Sequence, residues 1–273
     1  MSIDRGYAVV TGASQGLGAA IALELARQGF GVLVVARSEA PLQQVRDRAA
    51  AINGGRAQML VADMLAPDTV ERIQQHVAGQ QLPLTCLVNN AGQGLYGLFA
   101  DLTLDEQTRM MHLNMDVPVT LTHALLPRLL QAERAYVLNI ASMTAFSALA
   151  TMAVYSGSKA FVWRWSRSLR IELKGTPVSV TCVNPGSVIT GFTARAGMQT
   201  MDDLAQKFGT GPEPVAKAAV KAMLRGRAEV VPGFLNLVTS RLQGSLPQSL
   251  SERIASGIYL KRLPRRKPKD WNG

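Results

Sequence analysis

Short apolar runs and helix-period stretches alternate along this chain. Runs rich in Val, Leu and Ile fall near residues 7–11, 31–36, 57–62, 84–89, 135–141, 178–183 and 228–232. Between them, apolar residues recur at helical spacing near 16–28, 40–52, 67–79, 103–130, 152–174 and 213–225. The runs show little polar alternation, so the strands are expected to be buried on both faces of a parallel sheet. Strand and helix in strict alternation predict an α/β, doubly wound fold.

Length and composition fit that picture. The chain has 273 residues, 47% of them hydrophobic, enough for one large core. One catalytic domain is expected over 1–233. Beyond it, residues 234–262 carry a broken amphipathic pattern interrupted at Pro247, and a basic tail follows. Six lysines and arginines stand against one acid in 261–273, so half of the net charge of +10 sits there. An amphipathic stretch before a polybasic tail suits peripheral attachment to an anionic membrane. The alternative is a helix packed on the body or on a second subunit, followed by a solvated tail. The rest of the chain is only mildly basic, so nucleic acid is not an expected partner. No apolar run approaches the ~18 residues a membrane span needs. A strand starting near residue 7 leaves no room for a signal peptide. Cys86 and Cys182 lie in strand-like runs and read as buried free thiols of a cytoplasmic protein. With three scattered histidines, no metal site is expected.

The candidate chemistry begins at the first strand. Thr11-Gly-Ala-Ser-Gln-Gly-Leu-Gly18 joins it to a helix rich in Ala and Leu, the context of a dinucleotide phosphate site. Gly12 permits the turn, Gly16 lets the pyrophosphate approach the backbone, and Gly18 lets the helix pack on the strand. The helix N-terminus supplies free N–H groups to the phosphates. At the other end of the chain, Tyr155 and Lys159 are four residues apart, on one face of a helix. A cation beside a phenol lowers its pKa from ~10 and readies it for proton transfer at a carbonyl or alcohol oxygen. An exposed surface pair is the plainer reading of this spacing alone. Ser142, thirteen residues upstream of Tyr155, offers a hydroxyl to the same oxygen.

The glycine turn, Asn89-Asn90-Ala91-Gly92, Ser142, Tyr155-x-x-x-Lys159 and Pro185-Gly186 occur in that order. Together they resemble the short-chain dehydrogenase/reductase family, from about Tyr7 to about Pro232. The resemblance implies a single Rossmann-type domain with strand order 3-2-1-4-5-6 and a seventh strand added. It implies Tyr155 as acid/base, Lys159 as its partner and ribose contact, Ser142 as the group orienting the substrate, and Asn114 as holder of a relay water. The dinucleotide would lie along Gly12, Ser14, Gly16, Leu17 and Gly18, then Asp63 and Met64 at the adenine. Asn90, Ala91, Gly92, Tyr155, Lys159, Pro185, Gly186, Val188 and Thr190 would follow toward the nicotinamide. Ala36 stands where NAD enzymes of the family carry aspartate, and Arg37 follows it. A guanidinium there suits a 2′-phosphate, which favours NADP(H) over NAD(H). Arg37 as a solvated loop charge is the alternative, since Gln15 stands where a second basic residue often sits. The expected function is carbonyl–alcohol interconversion by hydride transfer on a small-molecule substrate, in a homodimer or tetramer. A non-catalytic dinucleotide-binding regulator is the alternative, although such relatives usually lose Tyr or Lys. Apolar residues of 93–99 and 143–154 point to an apolar substrate, and the resemblance implies that 192–211, carrying Arg195 and Lys207, form a mobile lid.

Overall fold

The computed structural model describes residues 4–192, 196–198, 209–233, 252–253, 256–257 and 259–263. Seven strands run β1 (Tyr7–Thr11), β2 (Gly31–Ala36), β3 (Ala57–Val61), β4 (Leu84–Asn89), β5 (Ala135–Ile140), β6 (Val178–Val183) and β7 (Glu229–Val230). All pair in parallel, in the order β3-β2-β1-β4-β5-β6-β7. The helices are α1 (Gly16–Arg27), α2 (Glu39–Asn53), α3 (Thr69–Gly79), α4 (Leu104–Met111), α5 (Val117–Leu129), α6 (Ala153–Glu172) and α7 (Pro212–Leu224).

The two-residue period of a strand explains the two cores. Ala8 and Val10, Val32 and Val34, and Cys86 and Val88 face one side, packing with α1, α2 and α7. Their alternates Val9, Leu33, Val35, Leu87 and Val137 face the other, packing with α3 and α5. Every residue of β2 and β5 is buried, as apolar runs without alternation require, whereas edge strand β3 is partly exposed throughout. Both cysteines are buried and free, and burial pushes the Cys182 thiol up to about 12.

Two elements differ from expectation. The seventh strand is only two residues long, and Pro232, with no N–H to give, follows it closely. The single helix expected over 103–130 is two helices joined by a π-helical turn, His112–Asp116. Its first half opens with a capping box in which Thr103 and Glu106 satisfy each other's backbone donors. In the turn, Val117 N–H bonds the His112 carbonyl, five residues back. Pro118 explains the widening, because it has no N–H to give the Asn114 carbonyl four residues earlier. Of the expected amphipathic stretch, most lies outside the described residues. Of it, 252–253, 256–257 and 259–262 are described, and Ser256 and Tyr259 pack on the body beside the loops that follow β4 and β5.

Candidate active site

β1 ends in Thr11, and the chain then turns at Gly12 with φ of +64°. That left-handed conformation suits glycine. Space demands it too, since a β-carbon there would stand 2.9 Å from the Ala91 Cα. Gly16, also left-handed at φ +59°, opens α1; a β-carbon on it would come 3.1 Å from the Thr190 methyl. On Gly18 it would overlap the Gly12 carbonyl oxygen. The turn is tied to the end of β4. Asn90 Nδ2 donates to the Thr11 and Gly12 carbonyls at 2.9 and 3.1 Å, and Thr11 Oγ1 accepts from the Asn90 and Ala91 backbone at 3.1 Å. Ser14 stays partly exposed at the turn, and Leu17 roots the helix in the core. A bare backbone beside an α-helix N-terminus fits a dinucleotide pyrophosphate.

The ends of β4, β5 and α5's preceding turn bring the second group of residues together. Ser142 follows β5 and caps a short 3₁₀ turn, its hydroxyl accepting the Thr144 N–H at 3.1 Å. α6 begins at Ala153, which puts Tyr155 in its first turn and Lys159 one turn further on the same face. Lys159 Nζ donates to the Ile140 carbonyl at 3.0 Å and lies 5.9 Å from the centre of the Tyr155 ring. Asn114 sits in the π turn. Its side chain donates to the Gln93 carbonyl and the Ser158 hydroxyl and accepts the Gln93 N–H, at 2.9, 3.0 and 2.9 Å. Pro118, four residues on, has no N–H to give the Asn114 backbone carbonyl. Gly92 lies between the two: a β-carbon there would stand 3.2 Å from Asn114 Oδ1 and 3.4 Å from Lys159 Nζ. Tyr155 and Lys159 are each only 6% exposed.

Burial governs the electrostatics. It drives the Tyr155 phenol up to about 12, against a smaller downward pull from the Ser142 hydroxyl. It also drives the Lys159 ammonium down to about 8. The expected lowering of the phenol by its lysine is therefore not what this structure displays. Both groups are out of water, and desolvation disfavours the charged form of each.

The remaining candidates lie along the same edge. Ala36 ends β2, and Arg37 Nη1 is 3.9 Å from Asp63, with the Arg37 side chain mostly in solvent and that of Asp63 partly so. Asp63 accepts the Leu65 N–H at 3.0 Å, and Met64 is buried beside it. The Pro185 carbonyl accepts the Met143 N–H at 2.9 Å, joining the loops after β5 and β6, with Gly186 next. Val188 bridges Thr210, and Thr190 stands over Gly16. The apolar residues expected around the substrate divide. Leu95, Tyr96, Leu149 and Met152 cluster on Tyr155. Leu98 and Phe99 are exposed, and Phe146 packs edge-on to Trp163 at 5.1 Å. Arg195 and Lys207 lie outside the described residues. Thr11, Gln93, Ser158 and Tyr259 belong to this region and were not singled out in the sequence. Thr11 and Ser158 sit inside motifs already chosen, but Tyr259 is about a hundred residues from Tyr155 and carries no local signal.

Residues 6–200 match the family model described as short chain dehydrogenase. The chain belongs to that family. This short-chain dehydrogenase is 34% identical over 225 residues to ketoacyl reductase HetN of a Nostoc species, covering 82% of this chain and 77% of that one. It is 28% identical to rat 17-beta-hydroxysteroid dehydrogenase type 3, over 86% and 77% of the two chains. Among solved structures, a short-chain dehydrogenase from Sphingobium yanoikuyae in complex with NADPH superposes with a TM-score of 0.77 at 26% identity, covering 89% of this chain and 97% of that one. A 7beta-hydroxysteroid dehydrogenase shares the fold at 0.81, with 21% identity over 92% and 96%. The chain is thus an oxidoreductase of the NAD(P)-binding, alcohol–carbonyl class. Among the described residues no group of side chains is arranged for a metal ion, and no helix is long and apolar enough to cross a membrane.

Proposed function

We propose that this enzyme interconverts a ketone or aldehyde and its alcohol, with Tyr155 as the proton donor and acceptor. The observation that carries the reading is the convergence of Ser142, Tyr155, Lys159 and Asn114 beside the glycine cradle. NADP(H), when bound, supplies or accepts the hydride. Ser142 holds the reacting oxygen against Tyr155 by a hydrogen bond. Tyr155 O–H gives its proton to that oxygen as charge develops, or takes one from the alcohol. A phenol at about 12 keeps its proton at neutral pH, the state a reduction needs. Lys159 carries its charge below about 8 and presents it next to the phenol. Asn114, in the π turn, holds a water that resupplies the proton.

Gly12, Ser14, Gly16, Leu17 and Gly18 would hold the pyrophosphate, Asp63 and Met64 the adenine end, and Asn90, Ala91, Gly92, Tyr155, Lys159, Pro185, Gly186, Val188 and Thr190 the nicotinamide half. NADP(H) is favoured over NAD(H). Arg37 is held only loosely by Asp63, because an exposed pair at 3.9 Å is a weak one, and is available to a 2′-phosphate. The NADPH in the Sphingobium enzyme supports the same preference. The substrate is apolar, in keeping with the cluster on Tyr155 and with the hydroxysteroid enzymes among the relatives. Residues 1–233 make the catalytic domain. Exposed Leu104, Phe161 and Ile171 on α4 and α6 support a homodimer or tetramer. A panel of apolar ketones and aldehydes should consume NADPH faster than NADH. Failure of the whole panel with NADPH bound would overturn the reading, and faster turnover with NADH would overturn the cofactor assignment.

A further inference from the structure

The C-terminal segment is part of the wall around Tyr155. Tyr259 and Leu263 pack against the cluster that holds Tyr155, Tyr96, Leu149 and Met152. Three contacts hold the segment there. The Tyr96 hydroxyl donates to the Tyr259 carbonyl at 2.7 Å. The two rings lie 6.5 Å apart, tilted by 53°. Three residues earlier, the Ser256 hydroxyl accepts the Ala150 N–H at 3.0 Å, pinning the segment to the loop between Ser142 and Tyr155. On a third side, the Tyr96 N–H bonds the Ala196 carbonyl, and the Phe192 ring lies 5.9 Å from that of Tyr155. Four stretches distant in sequence thus enclose one phenol.

Within that enclosure Tyr259 brings a polar side-chain group of its own. Its backbone carbonyl is used, but its own hydroxyl has no hydrogen-bond partner among the described residues. A half-buried phenol usually finds one. Burial raises the phenol above its ordinary value, so it stays protonated and able to donate. It is also close enough to Tyr155 that a negative charge on it would hold the Tyr155 proton more tightly.

We propose that Tyr259 is a specificity-determining residue of the substrate chamber, its free hydroxyl meeting a second oxygen on an otherwise apolar ketone or alcohol. This rests on the carbonyl–alcohol reading of the site and narrows its substrate class. Apolar side chains of the Tyr155 cluster pack around Tyr259, and its hydroxyl is distinct from the Tyr155–Ser142 pair that would handle the reacting oxygen. A substrate with one oxygen would fill the chamber and leave this hydroxyl unmatched. A substrate with two, on a rigid apolar frame, would satisfy both ends. A site with such a donor discriminates against the analogue that lacks the partner.

The test uses the full-length enzyme with NADPH and pairs of cyclic ketones, each monoketone set against the same frame bearing a second oxygen. The wild type is expected to favour the two-oxygen member in kcat/KM. Tyr259→Phe keeps the ring and the backbone carbonyl that Tyr96 binds, and removes only the hydroxyl. It should cut the preference by roughly tenfold, about the value of one hydrogen bond. The loss should appear in KM with kcat kept, because the contact is made equally in ground and transition states. The monoketone should change by no more than about twofold. Equal loss on both members would make Tyr259 a packing residue and overturn the proposal. No change on either would place its hydroxyl outside the chamber and overturn it as well. A wild type that binds NADPH but reduces no member of any pair would overturn the carbonyl–alcohol reading itself.

Discussion

At the scale of single residues, the site is a set of polar groups withdrawn from water. Lys159 shows the consequence. Its ammonium is buried among strand ends with one carbonyl partner, and its pKa falls from 10.5 to about 8. Between those values the unfolded chain binds the lysine proton and the folded protein does not. Stability contributed by this group therefore rises with pH across that window, and is least where the buried amine must be charged. Lys159→Met removes the titration. Urea unfolding at a series of pH values should give the variant a shallower rise between about pH 8 and 10.5 than the wild type. Parallel slopes would mean that Lys159 is solvated. The same burial explains why Tyr155 shifts opposite to the direction its lysine neighbour led one to expect. Spacing reveals that a cation is near; it does not reveal that both partners lose their water.

At the scale of elements, the π turn between α4 and α5 is the feature with functional content. A regular helix would spend the Asn114 carbonyl on a backbone donor four residues later. Pro118 withholds that donor, and π turns are frequent at functional sites for this kind of reason. Pro118→Ala should restore an ordinary α-helical bond to Asn114. Thermal stability should hold or rise, NADPH affinity should persist, and turnover should fall by about tenfold or more as the relay water loses its acceptor. Full turnover in a stable Pro118→Ala variant would show that the π turn at Asn114 is not needed. The sequence disclosed the rest of the elements well, because strands buried on both faces leave unbroken apolar runs and the helices between them keep a clean period. It disclosed the turn poorly. Residues 103–130 read as one helix, since the helical period runs through Asn114 and a proline in position 118 also suits the first turn of a new helix. The short β7 was overextended because Val231 continues the apolar run while Pro232 ends its pairing.

At the scale of the whole molecule, the parallel sheet gathers the chemistry. Loops after β1, β4, β5 and β6 all open on the C-terminal edge, on either side of the place where the strand order reverses. That convergence was legible from motif order. The return of the C-terminal segment to the same edge was not, because nothing local in 256–263 points to a contact with Tyr96 or Ala150. The segment leads directly into the basic tail. Attachment of that tail to an anionic surface would set the chamber beside the membrane, with each basic residue contributing about 1 kcal/mol. Co-sedimentation with acidic vesicles at low salt should retain the full chain and release one lacking residues 264–273. Equal release of both would leave the tail a solvated appendage. The central claim is that the gathered groups perform proton transfer through one phenol. Tyr155→Phe tests it most directly, with turnover and NADPH dissociation constant measured on the same preparation. Turnover should fall by at least about a hundredfold at every pH from 6 to 9 while NADPH binds nearly as before. Retained turnover with intact NADPH binding would contradict the claim.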